Sequence, residues 1–529
     1  MPDSITKKID NIFTAWNLAY SPGCAIGIVR NDSLIYAKGY GSANLEYGIP
    51  ITPATIFHMA SVSKQFTAFS IVLLAAQGKL KLDDDIRKYL SWFPDLHTKI
   101  TIRNLLNHTS GIRDQWQLLG ISGTRMDDVI TQDQIIKILS KQQALNFEPG
   151  SKYSYSNSGF TMLAEIVKSV SGQTLRKFTD SAIFKPLGMN DTHFHDDYTE
   201  IVKNRSYSYR HEDSRFSNSI LSYSNAGATS LFTNVKDMSK WLMNFYDHKV
   251  GDESIINQLV QKGKLINGKE LNYALGISVD MYNGWREYSH NGADAGYRTA
   301  VCVFPDLKMG FIVFSNVDDF NPGGKANEIA NLFIKDTTGK KANAPVKVDS
   351  GKTIAKGKFF AGLFVSEDGV RFDFPLHNQR LYWKHGDDSD LLSTQIKDTF
   401  VVAQSPDIKF IFSTSGKDTL VKQCWPNNNE RVLAKYTTTP LTDAQLQLYA
   451  GTYYCPELDY KYNIVVKNQH LVLTNTKYND SPVTLAGKDD LFTEHWFLYH
   501  LRILRNDSQS IIGFEVNSGR IMHLRFNKI

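Results

Sequence analysis

The chain reads Ala60-Ser61-Val62-Ser63-Lys64-Gln65-Phe66 at the start of an apolar run that continues to Ala76 without Pro or Gly. This run is too short to cross a bilayer and ends at Gln77-Gly78, so it predicts a buried helix. Ser61 then lies at the N-terminus of that helix, with Lys64 one turn later. The i, i+3 spacing places both side chains on one face of the helix.

A serine and a lysine at this spacing suit nucleophilic chemistry. A serine hydroxyl is a poor nucleophile unless a neighbouring base takes its proton, and a lysine in a partly desolvated site can lose its charge and act as that base. Backbone N–H groups at a helix start also stabilise developing negative charge. Ser61 is therefore the candidate nucleophile, since Ser63 is adjacent to Lys64 and points elsewhere. Because S-x-x-K is common by chance, the hypothesis depends on partner residues.

Length and composition indicate a globular protein of several domains. A chain of 529 residues is too long for one core, and two to four domains are expected. Its 42% of apolar and 21% of charged residues are ordinary for globular proteins, and a formal charge of +5 without a basic stripe argues against a nucleic-acid partner. The cysteines form no C-x-x-C and are interpreted as buried or free thiols; they are Cys24, Cys302, Cys424 and Cys455.

The N-terminal residues show no leader sequence. Residues 1–8 lack the apolar core of a signal peptide, and no later segment is long enough to span a membrane. A soluble protein is therefore expected. Its compartment is left open between the cytoplasm and, if a leader is removed, the periplasm or the exterior.

Residues 1–340 have the pattern of one α/β domain. An amphipathic stretch at 6–18 predicts a helix, and two apolar runs around Asn31-Asp32-Ser33 predict a hairpin. Residues 80–250 have a mostly helical period, and strand patterns return from residue 273. A last helix is predicted over 326–334. A strand pair, an inserted helical block, further strands and a terminal helix together predict a sheet flanked by helices, with a helical subdomain.

The C-terminal part predicts two tandem all-β units after a polar linker at 336–352. Period-two alternation dominates this part, and no convincing helix is predicted. Short segments recur at an offset of 89 to 91 residues: Phe360-Ala361-Gly362-Leu363-Phe364 returns as Tyr449-Ala450-Gly451-Thr452-Tyr453, Gln379-Arg380-Leu381-Tyr382 as Gln469-His470-Leu471-Val472, and Lys397-Asp398-Thr399-Phe400 as Lys488-Asp489-Asp490-Leu491-Phe492. Two small antiparallel barrels are predicted, over 353–436 and 441–529.

A tyrosine and an asparagine two residues apart form a second candidate element, Tyr155-Ser156-Asn157. Side chains alternate along an extended segment, so the phenol and the amide face the same way. A tyrosine near a lysine can be held partly as phenolate, which suits general base work. Asn157 could bridge Lys64 and a substrate amide. Taken alone, the triplet is more typical of an ordinary loop that leads into a helix, and Tyr153 is expected to be a packing residue.

The third element is Ser289-His290-Asn291-Gly292-Ala293, after a predicted strand. Glycine lets the backbone approach a ligand closely, so the N–H of Ala293 could face an oxyanion. His290 could hydrogen-bond the phenol or a substrate group, although a lone histidine at a strand edge is more often structural.

The three elements together resemble the serine hydrolases related to class C β-lactamases and DD-peptidases, which carry S-x-x-K, Y-x-N and (K/H)-x-G in this order. Residues 101–111, 186–189 and 227–237 agree, and the resemblance covers about residues 8–335. It implies that Ser61 is acylated, that Lys64 and Tyr155 form the base system and that Asn157 positions the substrate. It also implies that the N–H groups of Ser61 and Ala293 form the oxyanion hole.

One departure from the lactamase pattern bears on the substrate. His290 and Asn291 stand where β-lactamases have the lysine and threonine of K-T-G, which help to hold the drug's carboxylate, and K-T-G is absent from the sequence. The H-x-G form is similar to D-aminopeptidases, D-amidases and esterases. A catalytic domain followed by two barrels also resembles the three-domain D-aminopeptidases, with a lipocalin-like last unit, but architecture by analogy does not transfer the substrate.

The resemblance implies a serine hydrolase without cofactor or metal that acts through an acyl-enzyme on small peptides or amides, D-residues among them. An esterase or an acyltransferase of the same fold is the alternative. A penicillin-binding protein that stays acylated is the non-enzyme alternative. The partner is a small molecule or short peptide, and self-association into a homo-oligomer is left open.

Two histidine-bearing segments are interpreted as structural. His193-Phe194-His195-Asp196-Asp197 could hold a metal ion, but a solvated loop is the favoured interpretation. His108 in His-Thr-Ser-Gly looks like part of a catalytic triad, yet within this family the segment is a structural turn. Neither G-x-S-x-G nor H-E-x-x-H occurs in the sequence.

Overall fold

A computed structural model describes the chain over residues 1–338, 357–385, 388–396, 398–402, 405–415, 418–425, 429–438, 440–487 and 489–529. Most of the predicted linker, residues 339–352, lies outside the described residues, as do residue 353 and the repeat positions Lys397 and Lys488. The chain divides into two compact units, one of residues 1–115 and 124–338 and one of residues 116–123 and 339–529. Among the described residues, every helix is too short or too polar to cross a bilayer.

The first unit is built on an antiparallel sheet of six strands. From one edge to the other these strands are Ser278–Tyr282, Trp285–Asp294, Tyr297–Phe304, Met309–Ser315, Cys24–Arg30 and Ser33–Tyr40. The N-terminal hairpin thus pairs with strands from some 280 residues later, with Gly27 opposite Ile312. This architecture is the sheet flanked by helices that the sequence predicts.

Helices cover both faces of this sheet. On one face, Ile26, Ile28 and Phe311 pack with Ile9 and Ile329 of the N-terminal and last helices. On the other face, the helix Val235–Asp247 lies close enough that a Cβ on Gly27 would be 2.5 Å from Val235 Cγ1. The helices of this unit are Asp3–Ile12, Lys64–Ala76, Ile102–Leu106, Gln132–Leu139, Asn157–Ser171, Leu175–Thr179, Lys185–Leu187, Val235–Asp247, Glu253–Leu259 and Pro322–Ala330, and Gln115–Ile121 begins in it.

The helix Lys64–Ala76 is largely buried within the first unit. Ten of its thirteen residues are buried, which explains its apolar composition on all sides. The indole of Trp241 packs against Phe66 and Phe69, with ring centroids 4.4 and 5.2 Å away, and donates a hydrogen bond to Gln65 Oε1 at 2.9 Å. Trp241 thereby joins this helix to the sheet-covering helix Val235–Asp247.

The inserted block contains strands as well as helices, which corrects the mostly helical expectation for 80–250. Phe57–His58, Leu231–Thr233 and His193–Phe194 form a three-stranded sheet. His195 is buried at 1% exposure, so the prediction of a solvated loop at 193–197 is wrong for both histidines. The other short strands of the first unit are Ser42–Asn44, Ile49–Pro50, Val129–Thr131, Tyr209–Glu212, Arg215–Asn218 and Ser222–Ser224.

Several helix ends differ from their predicted positions. The first helix is Asp3–Ile12 rather than 6–18, because a separate turn at Thr14–Trp16 follows Phe13. The last helix is Pro322–Ala330 rather than 326–334, because Asn321 caps it by accepting from Gly324 N and a proline occupies its first turn. The apolar periodicity therefore does not mark these helix ends: Pro2 precedes the first helix, and Asn321 caps the last one.

The second unit carries two antiparallel barrels. In its described residues, the strands of the first barrel are Gly362–Ser366, Arg371–Phe374, Leu376–His377, Arg380–His385, Asp388–Ile396, Thr399–Val402, Ser405–Ser415, Asp418–Trp425 and Asn429–Tyr436. Pairing of Asp373 with Lys384 closes eight of them into a ring. The described strands of the second barrel are Gly451–Cys455, Tyr460–Lys467, His470–Thr474, Ser481–Ala486, Asp490–Phe492, His500–Arg505, Ile511–Ser518 and Ile521–Lys528.

The predicted repeat is visible in the structure. Lys435 Nζ in the last strand of the first barrel donates to Phe359 O at 2.9 Å, and Lys528 Nζ in the last strand of the second donates to Leu448 O at 2.8 Å. Short helices at Gly357–Phe360 and Asp443–Gln447 precede the barrels and correct the expectation of no helix. The domain limits 1–340, 353–436 and 441–529 stay a prediction.

We expect Trp241→Ala to lower the free energy of unfolding by about 3–5 kcal/mol, because it removes a buried aromatic group between two helices. Trp241→Phe should cost less than half as much, since it keeps an aromatic ring in the same space. Chemical denaturation followed by circular dichroism measures both. Equal losses for the two variants would show that packing around this ring does not hold the first unit together.

Candidate active site

Two of the three predicted motifs meet at the ammonium group of Lys64. Its Nζ donates to Ser61 Oγ at 3.0 Å, to Asn157 Oδ1 at 2.9 Å and to Ala228 O at 2.7 Å. Lys64 is fully buried, whereas Ser61 is partly exposed. The nucleophile candidate therefore has an open side for a substrate and a nitrogen on its other side that can exchange a proton with it.

The turn before the helix holds Ser61 in place. Ala60–Ser63 forms a 3₁₀ turn, and the α-helix begins only at Lys64. Ala60 has φ +48°, a left-handed conformation that costs a residue with a Cβ about 1–2 kcal/mol. Ala60 N donates to His58 Nδ1 at 3.1 Å, which helps to hold this turn. Such local strain is typical of positions where the fold presents a reactive side chain.

Ser63 is part of the scaffold rather than of the cluster. It is buried, and its Oγ accepts a hydrogen bond from Leu231 N at 3.0 Å. The structure therefore separates the two serines of the motif as the helical spacing predicts.

Asn157 is oriented by Asp114, a residue that the sequence analysis did not single out. Asn157 N and Nδ2 both donate to Asp114 Oδ2 at 2.8 Å. Because a carboxylate accepts only, the amide nitrogen must face Asp114 and the amide oxygen must face Lys64. Asp114 is 1% exposed, so its negative charge lies one amide away from the lysine.

Tyr155 lies over the lysine in a loop that His108 organises. Lys64 Nζ is 4.9 Å from the centroid of the Tyr155 ring, and the His108 ring is 4.1 Å from that ring. Ser154 N donates to His108 O at 2.9 Å and Ser156 N donates to His108 Nδ1 at 3.2 Å. His108 is therefore structural, as predicted, whereas Tyr153, expected to pack, is 40% exposed.

His290 is a neutral imidazole. Burial, together with the charge of Lys64, lowers its pKa to about 3. Its Nδ1 lies 2.6 Å from the Asn291 carbonyl oxygen, which only accepts, so Nδ1 carries the proton. Nε2 is then the acceptor for Tyr273 OH at 2.9 Å, and burial raises the pKa of Tyr273 well above its usual value. The phenol bonded to His290 is thus Tyr273, which the sequence analysis missed.

The strand that carries His290 approaches Ser61 through Gly292. A Cβ on Gly292 would lie 2.4 Å from Met59 O and 3.0 Å from Ser61 N, so only glycine allows this approach. Ala293, the next residue, is exposed. Asn291 is also exposed, and a Cβ on Gly323 would be 3.0 Å from its Nδ2. The structure therefore does not bring the Asn291 side chain to the Lys64 cluster.

A partly buried carboxylate follows on the same strand and was also missed. Asp294 accepts a hydrogen bond from Thr229 Oγ1, and Thr229 Oγ1 lies 3.3 Å from His58 Nε2. Burial raises the pKa of Asp294 to about 6, against the opposing effects of Thr229 and Lys64. This network links the strand to the turn before Ser61, and no sequence motif marks it.

The arrangement fits acyl transfer. A serine hydroxyl next to an amine, a tyrosine ring beside that amine, and the Ser61 and Ala293 backbone near the close approach of Gly292 are parts that an acyl-enzyme mechanism uses. None of these residues belongs to a metal-ligand cluster, since the sole group of three found among the described residues is His193, His195 and Glu200.

Comparison with known proteins agrees with this geometry. The beta-lactamase family model matches residues 17–334. A D-aminopeptidase of Brucella anthropi is 29% identical over 337 residues, 62% of this chain and 62% of that protein. A penicillin-binding protein of Bacillus subtilis (strain 168) is 24% identical over 404 residues, 72% of this chain and 88% of that protein. The chain thus spans less than two thirds of the D-aminopeptidase.

The same architecture occurs among solved structures. The octameric penicillin-binding protein homologue from Pyrococcus abyssi covers 90% of this chain and 99% of its own, with a TM-score of 0.55 and 21% identity. At 21% identity the likeness concerns the fold alone, and it covers 90% of this chain.

We expect Ser61→Ala to lower kcat/KM by at least about a thousandfold, and Lys64→Ala or Tyr155→Phe by about 10²–10⁴-fold, because each removes the nucleophile or part of its base. Ser63→Ala is the matched control. It loses a buried hydrogen bond and about 1 kcal/mol of stability, yet should keep kcat/KM within a few-fold. Hydrolysis of an activated ester measures all four. A Ser61→Ala enzyme with full activity would contradict the assignment.

We expect His290→Gln to leave the pH dependence of kcat/KM unchanged between pH 5 and pH 9. A group with a pKa of about 3 stays neutral throughout this range, and glutamine keeps a neutral hydrogen-bonding side chain. Values of kcat/KM measured between pH 5 and pH 9 for the unmodified protein and the variant check this expectation. Loss of an inflection between pH 5 and pH 8 in the variant would show that His290 titrates during catalysis.

Proposed function

The chain belongs to the beta-lactamase family, and we propose that it is a serine hydrolase that works through an acyl-enzyme on small peptides and amides. The observation that carries the proposal is the position of Lys64 Nζ between Ser61 Oγ and Asn157 Oδ1, at 3.0 and 2.9 Å. A lysine with a purely structural role needs no more than a single ion pair at the protein surface. A buried lysine in contact with a partly exposed serine hydroxyl has the geometry of a nucleophile and its base.

In the proposed reaction, Tyr155, as a phenolate stabilised by the adjacent Lys64 ammonium, takes the proton of Ser61 as its Oγ forms a bond to the substrate carbonyl. The resulting oxyanion is held by the N–H groups of Ser61 and Ala293. As the tetrahedral intermediate collapses, the same pair returns a proton to the leaving amine or alcohol, and an ester on Ser61 is left. Water then attacks that ester by the same steps and releases the acid. Asn157, held by Asp114, positions the lysine relative to the substrate.

We propose amides with a D-residue on the acyl side as the preferred substrates. Support comes from the D-aminopeptidase among the relatives and from the chemistry at His290. A neutral imidazole bonded to Tyr273 and to the Asn291 carbonyl cannot supply the positive charge with which a K-T-G lysine holds a β-lactam carboxylate. Efficient penicillin turnover is therefore not expected. Esters are the alternative substrates, and an acyltransferase would need only an amine or alcohol that attacks before water.

A penicillin-binding protein without turnover is the second candidate. It is favoured by the Bacillus subtilis relative, whose match covers 88% of its own length. The two candidates differ in the rate of deacylation. Self-association of this chain stays a prediction, and the homologue from Pyrococcus abyssi is octameric. Light scattering would test it.

A substrate panel separates the candidates. We expect D-alanine p-nitroanilide to be hydrolysed at least about tenfold better, in kcat/KM, than its L-enantiomer, a difference of about 1.4 kcal/mol in the transition state. A penicillin should give no sustained turnover. Ser61→Ala is the control for background hydrolysis. A lasting penicillin adduct without hydrolysis of either amide would instead favour the binding protein, and equal rates for both enantiomers would remove the stereochemical part of the proposal.

A further inference from the structure

A second cluster of reactive side chains lies in the first unit, outside the cluster around Lys64. His193 and His195 flank Phe194 at the edge of the three-stranded sheet, where His193 pairs with Phe232 and His195 N donates to Ser230 O at 2.8 Å. Residues two apart along a strand point to the same side, so the two imidazoles share one face of this edge, and their ring centroids are 5.9 Å apart.

A carboxylate completes the cluster. The turn after the strand, in which Glu200 N donates to Asp197 O at 3.1 Å, brings Glu200 back over the imidazoles. Glu200 Oε2 lies 3.4 Å from His195 Nδ1 and 3.8 Å from His193 Nε2. The three ligand atoms all lie within 4.8 Å of one another. Donors around a tetrahedral ion such as Zn²⁺ are about 3.4 Å apart, so small side-chain movements would bring all three onto one ion.

The two facing nitrogens lack hydrogen bonds. Among the described residues, neither His193 Nε2 nor His195 Nδ1 has a hydrogen-bond partner, although both atoms are buried. His195 is only 1% exposed. A buried polar atom without a partner is destabilising, so native proteins rarely leave two of them side by side. Both nitrogens are directed at the same carboxylate oxygen, and a bound cation would satisfy all three atoms.

The imidazoles are in the form that binds metals. Burial, with the neighbouring Arg205 and His193, lowers the pKa of His195 to about 4, and burial with Arg176 lowers the pKa of His193. Neutral imidazoles offer a lone pair without first releasing a proton.

The cluster can be reached from solvent, and the charges around it are mixed. A cavity of about 700 Å³ is lined by His193, Glu200, Asp191, Asp196 and Arg176. Arg176 binds Glu200 through Nη1 at 2.6 Å and Nη2 at 2.7 Å and reaches Asp196 at 3.0 Å. Arg176 thus orients the Glu200 carboxylate, as the hydrogen-bond partner of a metal ligand does. When Glu200 binds a cation, Asp196 can still balance the positive charge of Arg176.

We propose that His193, His195 and Glu200 bind a divalent transition-metal ion of the Zn²⁺ class, with water in the remaining position. Two imidazole nitrogens and one carboxylate oxygen suit Zn²⁺, Co²⁺ or Ni²⁺, whereas Mg²⁺ and Ca²⁺ prefer oxygen ligands alone. The ion would tie the turn at 196–200 to the sheet that also contains Phe57–His58, the strand just before Ala60 and Ser61. The proposal is independent of the hydrolase reaction.

The experiment uses untagged full-length protein, freed of metal with a chelator and titrated with Zn²⁺ by calorimetry and with Co²⁺ by visible absorption. We expect one equivalent of each metal, a d–d spectrum typical of a low-coordinate Co²⁺ site, and a higher melting temperature with Zn²⁺. His193→Gln, His195→Gln and Glu200→Gln should each weaken Zn²⁺ binding at least about tenfold. His97→Gln, which changes an exposed histidine outside the cluster, is the matched control and should bind like the unmodified protein.

Circular dichroism of each metal-free variant separates loss of binding from loss of folding, and Glu200→Gln changes only the charge of a partly exposed side chain. Absence of stoichiometric Zn²⁺ and Co²⁺ binding by the unmodified protein would overturn the proposal. Unchanged affinity in any of the three folded cluster variants would overturn it as well, because the proposed site needs all three ligands.

Discussion

The buried ammonium of Lys64 is the constraint on which the rest of the first unit depends. A charged group taken out of water must be compensated by hydrogen bonds and opposite charges, or the fold loses several kcal/mol. Here the compensation comes from Ser61 Oγ, Asn157 Oδ1 and Ala228 O, which belong to segments that are far apart in the chain. Asp114, bonded to the same asparagine, adds a negative charge to this chain of contacts.

These contacts require the surrounding backbone to approach closely. Thr67 Oγ1, one turn beyond Lys64, donates to Gly227 O at 2.8 Å and so fixes the segment that supplies the Ala228 carbonyl. On the opposite side, Thr299 Oγ1 donates to Met59 O at 2.9 Å and draws the central sheet against the turn that carries Ser61. The central sheet, the Lys64 helix and the inserted block thus pack together around Ser61 and Lys64. The reactivity of Ser61 depends on this packing, because no single element provides both the base and the oxyanion donors.

Much of this arrangement could be predicted from the sequence, because local residue patterns determine it. Helical spacing places Ser61 and Lys64 together and separates Ser63 from them, and the glycine at 292 marks the close approach of a strand. Period-two alternation and an internal repeat were enough to predict two antiparallel barrels.

Other features depend on contacts between distant segments and leave no local signal. Asp114 and Tyr273 act through partners 43 and 17 residues away, in segments without a recognisable motif. The polar residues after His195 suggest a solvated loop, but pairing with Leu231–Thr233, nearly forty residues later in the chain, makes it a buried edge. The identity of the substrate depends on pocket shape, which no local pattern encodes.

Acylation of Ser61 can be observed by mass spectrometry of the intact protein. The protein would be mixed briefly with an activated D-alanyl ester, quenched in acid, weighed intact and then digested to locate the added mass. We expect one acyl group per chain, on the peptide that contains Ser61, and we expect it to disappear with time as the acid is released. An adduct on another residue, Ser63 included, or acid released at the same rate without any covalent intermediate, would contradict this expectation.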